Sequence, residues 1–206
     1  MAAVIERVRV VRLGLRPYEA ILKAMRDFTA SRDEHTADEL WLLEHPPVYT
    51  RGLAADARFG PNADNGIPVV QVERGGEITY HGPGQVVLYT LVDLARRGIK
   101  VKQFVAMLEQ SVIDLLGSRA ERKAGAPGVY VAGAKVAALG IRVSRGCAFH
   151  GVSLNVDMDL APFAAIDPCG HPGLRVTQTR DLGFDFSVET AGARLAGLLA
   201  ARLEHA

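Results

Sequence analysis

The sequence predicts an α+β fold in which helices pack on a mixed, largely antiparallel sheet. Helical periodicity occurs before, between and after groups of strand-like segments, without the strict strand–helix alternation of a parallel α/β fold. Three short strand-like segments joined by tight turns in the second half of the chain indicate an antiparallel meander. With 206 residues, of which 49% are hydrophobic, the chain can bury one good-sized core, so we expect a single domain spanning residues 1–206.

The first third of the chain is typical of a strand, a helix and a second strand. Residues 7–15 alternate apolar and charged side chains, and Pro17 then opens a segment whose apolar side chains recur at helical spacing. Residues 39–44 form a short apolar run that a Pro-Pro pair ends. Residues 51–66, rich in Gly, Asp and Asn, predict a long exposed loop, which is a common place for a functional site to lie.

The rest of the chain adds strands around a glycine-rich motif and two more helices. One apolar face predicts a helix over residues 101–116, and Gly117 follows where a C-terminal cap requires it. The other predicted elements are strands at 67–72, 85–92, 129–132, 135–143 and 148–156, an irregular segment at 157–180 and a C-terminal helix over 188–199.

Charge and hydropathy exclude several classes of partner. Lys and Arg total 24 against 23 for Asp and Glu, so no overall field attracts nucleic acid or a membrane surface. No segment has the roughly 20 apolar residues that cross a bilayer, and the start has no uninterrupted apolar core of signal-peptide length. We expect a cytoplasmic protein that keeps its two cysteines, Cys147 and Cys169, reduced.

Residues 74–85 read RGGEITYHGPGQ, with polar side chains interspersed among four glycines. Glycine costs conformational entropy on ordering and adds nothing to a core, so such a cluster is expected where backbone turns tightly or approaches a ligand. We interpret the motif as a substrate-binding loop that connects or interrupts strands. It matches neither a P-loop nor a dinucleotide fingerprint, so the ligand is not predicted to be a nucleotide.

Cys169 is a candidate nucleophile because Pro168 and Gly170 flank it, which is unusual for an inert core cysteine. A thiol with a pKa of about 8.5 is mostly protonated at neutral pH, so it needs a cation, a base or a helix start beside it. The candidate partners are Lys135, His81, His150 and His171. A structural or incidental thiol is the alternative, and Cys147 is a weaker candidate.

Lys135 is notable because residues 133–140 surround its charge with small and apolar side chains, which indicates partial desolvation. The alternative is an outward-facing charge on an alternating strand. The alternative for His81 is a hydrogen-bonded loop histidine, the strand residues around His150 favour a structural hydrogen bond over catalysis, and the alternative for His171 is an exposed side chain beside Pro172. Cys169 and His171 lie too close together to resemble a zinc pair, and no second cluster completes a site, so we expect no metal.

Four segments together resemble the lipoyl(octanoyl) transferase family: residues 74–85, 133–140, 150–155 and 168–170. The resemblance implies the fold of the biotin and lipoate protein ligases and no cofactor. It implies that octanoyl, or lipoyl, passes from acyl carrier protein to Cys169 as a thioester. The acyl group then passes to a lysine on the lipoyl domains of 2-oxoacid dehydrogenases or on glycine cleavage H protein, the first step of endogenous protein lipoylation.

The same resemblance implies roles for individual residues. Lys135 lowers the pKa of the Cys169 thiol and moves protons. The substrate-binding residues that it implies are Arg74, Gly75, Gly76, Glu77, Ile78, Thr79, Tyr80, His81, Ala138, Leu139, Gly140, Gly151, Val152 and Ser153.

Two other functions remain open from the sequence. One is an ATP-dependent lipoate or biotin ligase, which needs no catalytic thiol. The other is a non-catalytic module that binds a fatty acyl chain. The basic run 96–102 is interpreted either as a docking site for the acidic carrier protein or as a solvated loop.

Overall fold

A computed structural model describes residues 7–55, 60–61, 65–166 and 174–206. Its elements in chain order are β1 (Arg9–Leu15), α1 (Tyr18–Ser31), β2 (Glu39–Glu44), β3 (Val48–Arg51), β4 (Val69–Gln71), β5 (Ile78–His81), β6 (Gln85–Asp93), α2 (Val101–Leu116), β7 (Ala120–Glu121), β8 (Val129–Val131), β9 (Ala134–Ser144), β10 (Cys147–Asn155), a 3₁₀ helix (Ala161–Ala165) and α3 (Val188–Glu204).

The strands form two sheets. The main sheet has seven strands in the order β1-β2-β6-β10-β9-β8-β7, and the small sheet has three in the order β4-β3-β5. Among the described strands of the main sheet, β1 and β2 are the one parallel pair, and in the small sheet β3 pairs in parallel with β4 and antiparallel with β5. The predicted mixed, largely antiparallel sheet is therefore confirmed, and β8, β9 and β10 form the predicted meander.

The central strands β6 and β10 are covered on both faces, which explains their nearly continuous apolar sequences. Side chains such as Val86 and Leu88 point into the core formed with α2 and α3. Their neighbours Val87 and Tyr89 point to the opposite face, where α1 packs. Because side chains alternate along a strand, each central strand supplies both cores at once.

The three predicted helices are confirmed, each with local reasons for its ends. Pro17 precedes the first turn of α1, where a missing N–H costs nothing. Gly117 ends α2 with a φ of 77°, and its N–H donates to the Ile113 carbonyl. The Ser187 side chain accepts a hydrogen bond from the Thr190 N–H at the start of α3.

The outer strands of the main sheet are irregular or short. In β1 the pairing with β2 shifts register between Arg12 and Gly14, and Gly14 has a φ of 68°. At the other edge β7 contains only two residues, Ala120 and Glu121. Neither outer strand among the described residues therefore offers a long regular row of backbone groups.

Several sequence predictions differ from the structure. Strand β3 begins directly after the Pro-Pro pair and includes Arg51, so the predicted 51–66 loop starts one residue too early. The predicted strand at 67–72 shortens to Val69–Gln71. Within the glycine-rich motif, Ile78–His81 pairs with β3 as strand β5, so the interpretation of the whole motif as a loop is wrong. The 3₁₀ helix lies in the segment predicted to be irregular.

A buried ion cluster forms around Asp38. Its carboxylate accepts hydrogen bonds from Arg32, from Arg97 Nε at 2.6 Å and from the Asp93 N–H at 2.8 Å. Arg96 adds a bond of 2.9 Å from a partly exposed position. Arg97 is buried in this cluster and belongs neither to an exposed docking site nor to a solvated loop. Both interpretations of the 96–102 run are therefore wrong for this residue.

Across the described ranges, no helix combines the length and the apolar character that a membrane crossing requires.

Candidate active site

A pocket lies between the glycine-rich segment and strands β9 and β10. It brings together most of the residues that the sequence analysis assigned to substrate binding, and Lys135 lies among them. Gly75 and Tyr80 are not part of its lining. The predicted residues in the lining are Arg74, Gly76, Glu77, Ile78, Thr79, His81, Lys135, Ala138, Leu139, Gly140, Gly151, Val152 and Ser153.

The glycines let the segment lie directly on β9. The Gly75 N–H donates to the Ile141 carbonyl at 3.0 Å, and a Cβ added to Gly140 would stand only 2.7 Å from the Gly75 oxygen. Arg74 stays at this point because its guanidinium donates to the Thr50 carbonyl at 2.7 Å. Close backbone approach, which only glycine allows, thus forms one wall of the pocket.

Lys135 is 3% exposed, which agrees with the predicted desolvation and excludes the outward-facing alternative. Its Nζ donates to the Pro127 carbonyl at 3.2 Å and lies 5.3 Å from the centre of the Tyr130 ring. Its backbone is held from the other side, because the Lys135 N–H donates to the Arg175 carbonyl and its carbonyl accepts from the Thr177 N–H. A buried ammonium in this position is a fixed source of positive charge for an anion beside it.

His81 is buried and belongs to a chain of hydrogen bonds. Its Nδ1 lies 2.7 Å from Gln85 Oε1, and Gln85 Nε2 donates to Asn155 Oδ1 at 2.9 Å. Burial lowers the pKa of His81 to about 3, and repulsion from the neighbouring His45 acts in the same direction. This low pKa leaves His81 a neutral ring at neutral pH, with Nδ1 as the donor to the Gln85 oxygen, so it does not supply a cation to a thiolate.

His150 has an unusual backbone for a residue in a central strand. Its φ of 63° is left-handed, and the pairing of β10 with β6 passes from Ala148 directly to Gly151. This conformation costs a non-glycine residue about 1–3 kcal/mol, and backbone strain of this kind is enriched at functional sites.

The His150 ring lies in the pocket lining and is 1% exposed, yet neither ring nitrogen has a hydrogen-bond partner among the described residues. The structural hydrogen bond predicted for this ring is therefore absent. Burial lowers the pKa of His150 to about 4, so the ring is neutral at neutral pH.

Sequence reasoning missed several residues that line the pocket or lie directly behind its lining. Tyr18 was predicted only as part of an apolar helix face, and Tyr89 as part of an apolar strand, yet both line the pocket. Behind them His45 contacts the Arg16 carbonyl through Nδ1 at 2.7 Å and the Tyr89 hydroxyl through Nε2 at 2.8 Å. The only local signal was a hydroxyl or imidazole within an apolar run, which does not reveal what the residue faces.

The remaining candidates fall outside the pocket or outside the described residues. Cys147 is buried at the start of β10, and burial followed by the nearby Asp93 charge raises the pKa of its thiol, so it is not an activated nucleophile. Cys169 and His171 lie outside the described residues. In the part of the chain that the structure describes, no three His, Cys, Asp or Glu side chains cluster to hold a metal ion.

This chain belongs to the lipoyl protein ligase A/B catalytic domain family, whose model matches residues 17–199. Its fold is shared with lipoate-protein ligase A bound with ATP (TM-score 0.76, 16% identity, 96% of this chain and 86% of that chain). A biotin protein ligase from Aquifex aeolicus, solved with biotin and ATP, is also similar (TM-score 0.58, 12% identity, 96% and 70%). The predicted biotin/lipoate protein ligase-like fold is confirmed.

Much closer sequence relatives are octanoyltransferases. The chain is 56% identical over 198 residues to the octanoyltransferase of Dechloromonas aromatica, covering 95% of this chain and 96% of the relative. It is 62% identical over 183 residues to that of Thiobacillus denitrificans, covering 87% and 84%. The resemblance to the lipoyl(octanoyl) transferase family is confirmed, and the enzyme is an acyltransferase.

Proposed function

We propose that this chain transfers an octanoyl group to a protein lysine through a thioester on Cys169, with Lys135 as the ion-pair and proton-transfer partner of the thiol. The observation that carries the proposal is a buried lysine in the lining of a pocket, in a chain more than half identical to octanoyltransferases. The substrate-binding residues are those of the pocket lining named above. The whole chain, residues 1–206, acts as one catalytic domain.

Chain connectivity supports a thiol close to Lys135. Ile166 is buried against Ile78 and Phe163, which line the pocket. Cys169 follows three residues later, so its Cα lies within roughly 11 Å of that of Ile166. Six residues beyond Cys169, the Arg175 carbonyl accepts the Lys135 N–H at 2.8 Å. Both flanks of the cysteine segment are thus attached to the walls of the same pocket.

The proposed reaction has two acyl transfers with balanced protons. The Cys169 thiolate attacks the carrier thioester, the bond from the acyl carbon to the carrier sulfur breaks, and that sulfur takes a proton from the Lys135 ammonium. The amine of the acceptor lysine then attacks the Cys169 thioester and gives its proton to neutral Lys135. The Cys169 thiolate leaves, and the ion pair is restored.

The proposed acyl donor is octanoyl-loaded acyl carrier protein. The proposed acceptors are the lipoyl domains of 2-oxoacid dehydrogenases and glycine cleavage H protein. A Thermoplasma acidophilum relative of this fold was solved as a bipartite lipoate protein ligase with its E2 lipoyl domain (TM-score 0.75, 16% identity), which makes a lipoyl domain a natural first acceptor to test. We place the reaction in the cytoplasm, where a reduced thiol persists.

The direct test is to incubate the protein with octanoyl-loaded carrier, without ATP, and to map the added mass by intact and peptide mass spectrometry. We expect one octanoyl group on Cys169 and none on Cys169→Ala. Cys147→Ala is the matched control and keeps the adduct, because that thiol is buried away from the pocket. A requirement for ATP indicates a ligase instead, and binding without any adduct indicates a non-catalytic acyl-binding module.

The role of Lys135 is tested by the pH dependence of thiol alkylation. Replacing Lys135 with Met removes the buried charge, so the pKa of the Cys169 thiol rises toward about 8.5. Each unit of increase lowers the alkylation rate near neutral pH roughly tenfold, because only the thiolate reacts. The control is Lys123→Met, because this exposed ammonium lies 4.5 Å from the same Tyr130 ring. Equal profiles for the two variants contradict the proposed role.

A further inference from the structure

The pocket has two chemically different ends along strand β10. At one end, Asn155 donates to the Thr177 carbonyl at 2.9 Å, and the Thr177 N–H donates to the Lys135 carbonyl at 2.9 Å, so this is the Lys135 end. His150 lies five residues earlier on the same strand, a distance of roughly 16 Å. Between them, the lining contains Gly151, which has no side chain, and Val152 and Ser153.

The His150 end is closed and polar. Arg74 and Gly75 cover β9 at Gly140 and Ile141, and Ile141 is the residue that pairs with His150. Tyr18 and Tyr89, both buried, complete this end with their rings and hydroxyl groups. The His150 ring lies 6.1 Å from the Tyr89 ring and 5.0 Å from the Phe149 ring, so aromatic faces hold it in place.

From this geometry we propose that His150 is a specificity-determining residue, which limits the acyl chain to about eight carbons and prefers a hydrogen-bonding group to a methyl group at the far end of a longer chain. The inference rests on the proposed function, because it takes the reacting thioester to lie at the Lys135 end. An extended eight-carbon chain is about 10 Å long and ends short of the ring.

The physical basis is the cost of an unpaired polar atom. A chain that ends short of His150 leaves room for a water molecule that bonds to the ring nitrogens. One more methylene group displaces that water and leaves the buried N–H unpaired, which weakens binding substantially. A chain of the same length that ends in a hydroxyl group instead supplies a hydrogen-bond partner for the His150 ring. The left-handed backbone at His150 fits this role, because strain of that kind persists where it positions a side chain for a ligand.

The test compares two carrier-bound chains of equal length, 8-hydroxyoctanoyl and nonanoyl, as competing donors to the wild-type protein. We expect acyl-Cys169 to form roughly tenfold faster from the hydroxylated chain, because only this chain restores a hydrogen bond to the buried N–H. A ratio of one or less overturns the inference. This comparison needs no variant, so it stands even if a substitution at the strained position prevents folding.

Two variants refine the test. His150→Phe keeps a ring and removes both nitrogens, so we expect it to accept nonanoyl at least as well as 8-hydroxyoctanoyl. His150→Gln keeps a donor and an acceptor, and it retains the wild-type order. A hydroxyl preference that survives in His150→Phe contradicts the assignment to this ring. Octanoyl-loaded carrier is run in parallel: no adduct from it overturns the proposed function itself, whereas an octanoyl adduct with no hydroxyl preference overturns only the role of His150.

Discussion

Two buried polar clusters of this protein differ in how their hydrogen-bonding capacity is used. Around Asp38, both carboxylate oxygens are paired with arginines or a backbone N–H. In the pocket, His150 is just as buried but has no partner for either ring nitrogen among the described residues. Complete pairing around a carboxylate is what stability requires, whereas an unpaired ring lining a pocket indicates capacity kept for a ligand.

The difference also appears in the direction of the pKa shifts. Burial alone raises the pKa of Asp38, but the hydrogen bonds from the Asp93 N–H and from Arg97 outweigh it and lower the pKa overall. In the pocket region burial prevails, and the pKa values of His45, His81 and His150 fall to about 4, 3 and 4. The Asp38 carboxylate keeps its charge in the folded state, whereas the three buried histidines are neutral.

The largest expected effect follows from the three neutral histidines. Above pH 6.5 neither the folded nor the unfolded state protonates them, so their contribution to stability is fully present. Between pH 6.5 and about 4 the unfolded state binds protons that the folded state excludes, and stability falls by up to about 1.4 kcal/mol per pH unit for each histidine. Urea unfolding at pH 7, 6 and 5 measures this loss.

For the three histidines together, the loss from pH 6.5 to 5 reaches at most about 6 kcal/mol. His35→Gln provides the comparison, because it removes an imidazole that is exposed to solvent in the folded state. A free energy of unfolding that stays constant from pH 7 to 5 contradicts the neutral state of the three buried histidines.

A smaller effect is expected from breaking the paired cluster. Asp38→Asn removes the negative charge and leaves the buried Arg32 and Arg97 without it, which costs about 3–5 kcal/mol in the free energy of unfolding. Arg96→Gln is the matched comparison, because that side chain is 30% exposed and its loss leaves the two buried contacts intact. Denaturant unfolding at pH 7 checks both values, and equal losses contradict the importance of burial.

The smallest effect is expected at an ion pair that belongs to neither cluster. Arg12 contacts Glu189 at 3.4 Å, and both side chains are mostly exposed. Solvent screening and the loss of side-chain entropy leave such a pair with almost no net contribution to stability. Arg12→Ala therefore changes the free energy of unfolding by less than about 0.5 kcal/mol. Thermal unfolding of Arg12→Ala and Asp38→Asn, measured side by side, checks this. A loss of stability of similar size in the two variants contradicts the distinction between buried and exposed ion pairs.

Elements with strong local periodicity could be predicted from the sequence, and features that depend on distant contacts could not. The helices and the strands β6, β9 and β10 were predicted because their apolar patterns are long. Strand β3 has four residues and β7 has two, too few for a pattern to emerge. Pairing with distant strands fixes both elements, so their neighbours in the sequence carry little information about them.

The site shows the same division. The glycine-rich motif and the small residues around Lys135 both line the pocket, because close backbone approach requires that composition. The unpaired state of His150 could not be predicted, since it depends on what β6, β9 and the 74–75 segment place around the ring. The position of Tyr89 against His45 is likewise a contact between separate elements. Sequence therefore indicates where backbone must approach closely, and tertiary structure decides which polar atoms stay unpaired.

The outer strands of the main sheet have a consequence for behaviour at high concentration. A strand from a second molecule that approaches β1 meets the register shift at Gly14 and the arginines at positions 9 and 12, and β7 offers it only two residues. Neither edge can template a growing intermolecular ladder. The central strands, which are the most apolar of the main sheet, are thus separated from an incoming strand by edges with little regular backbone to pair with.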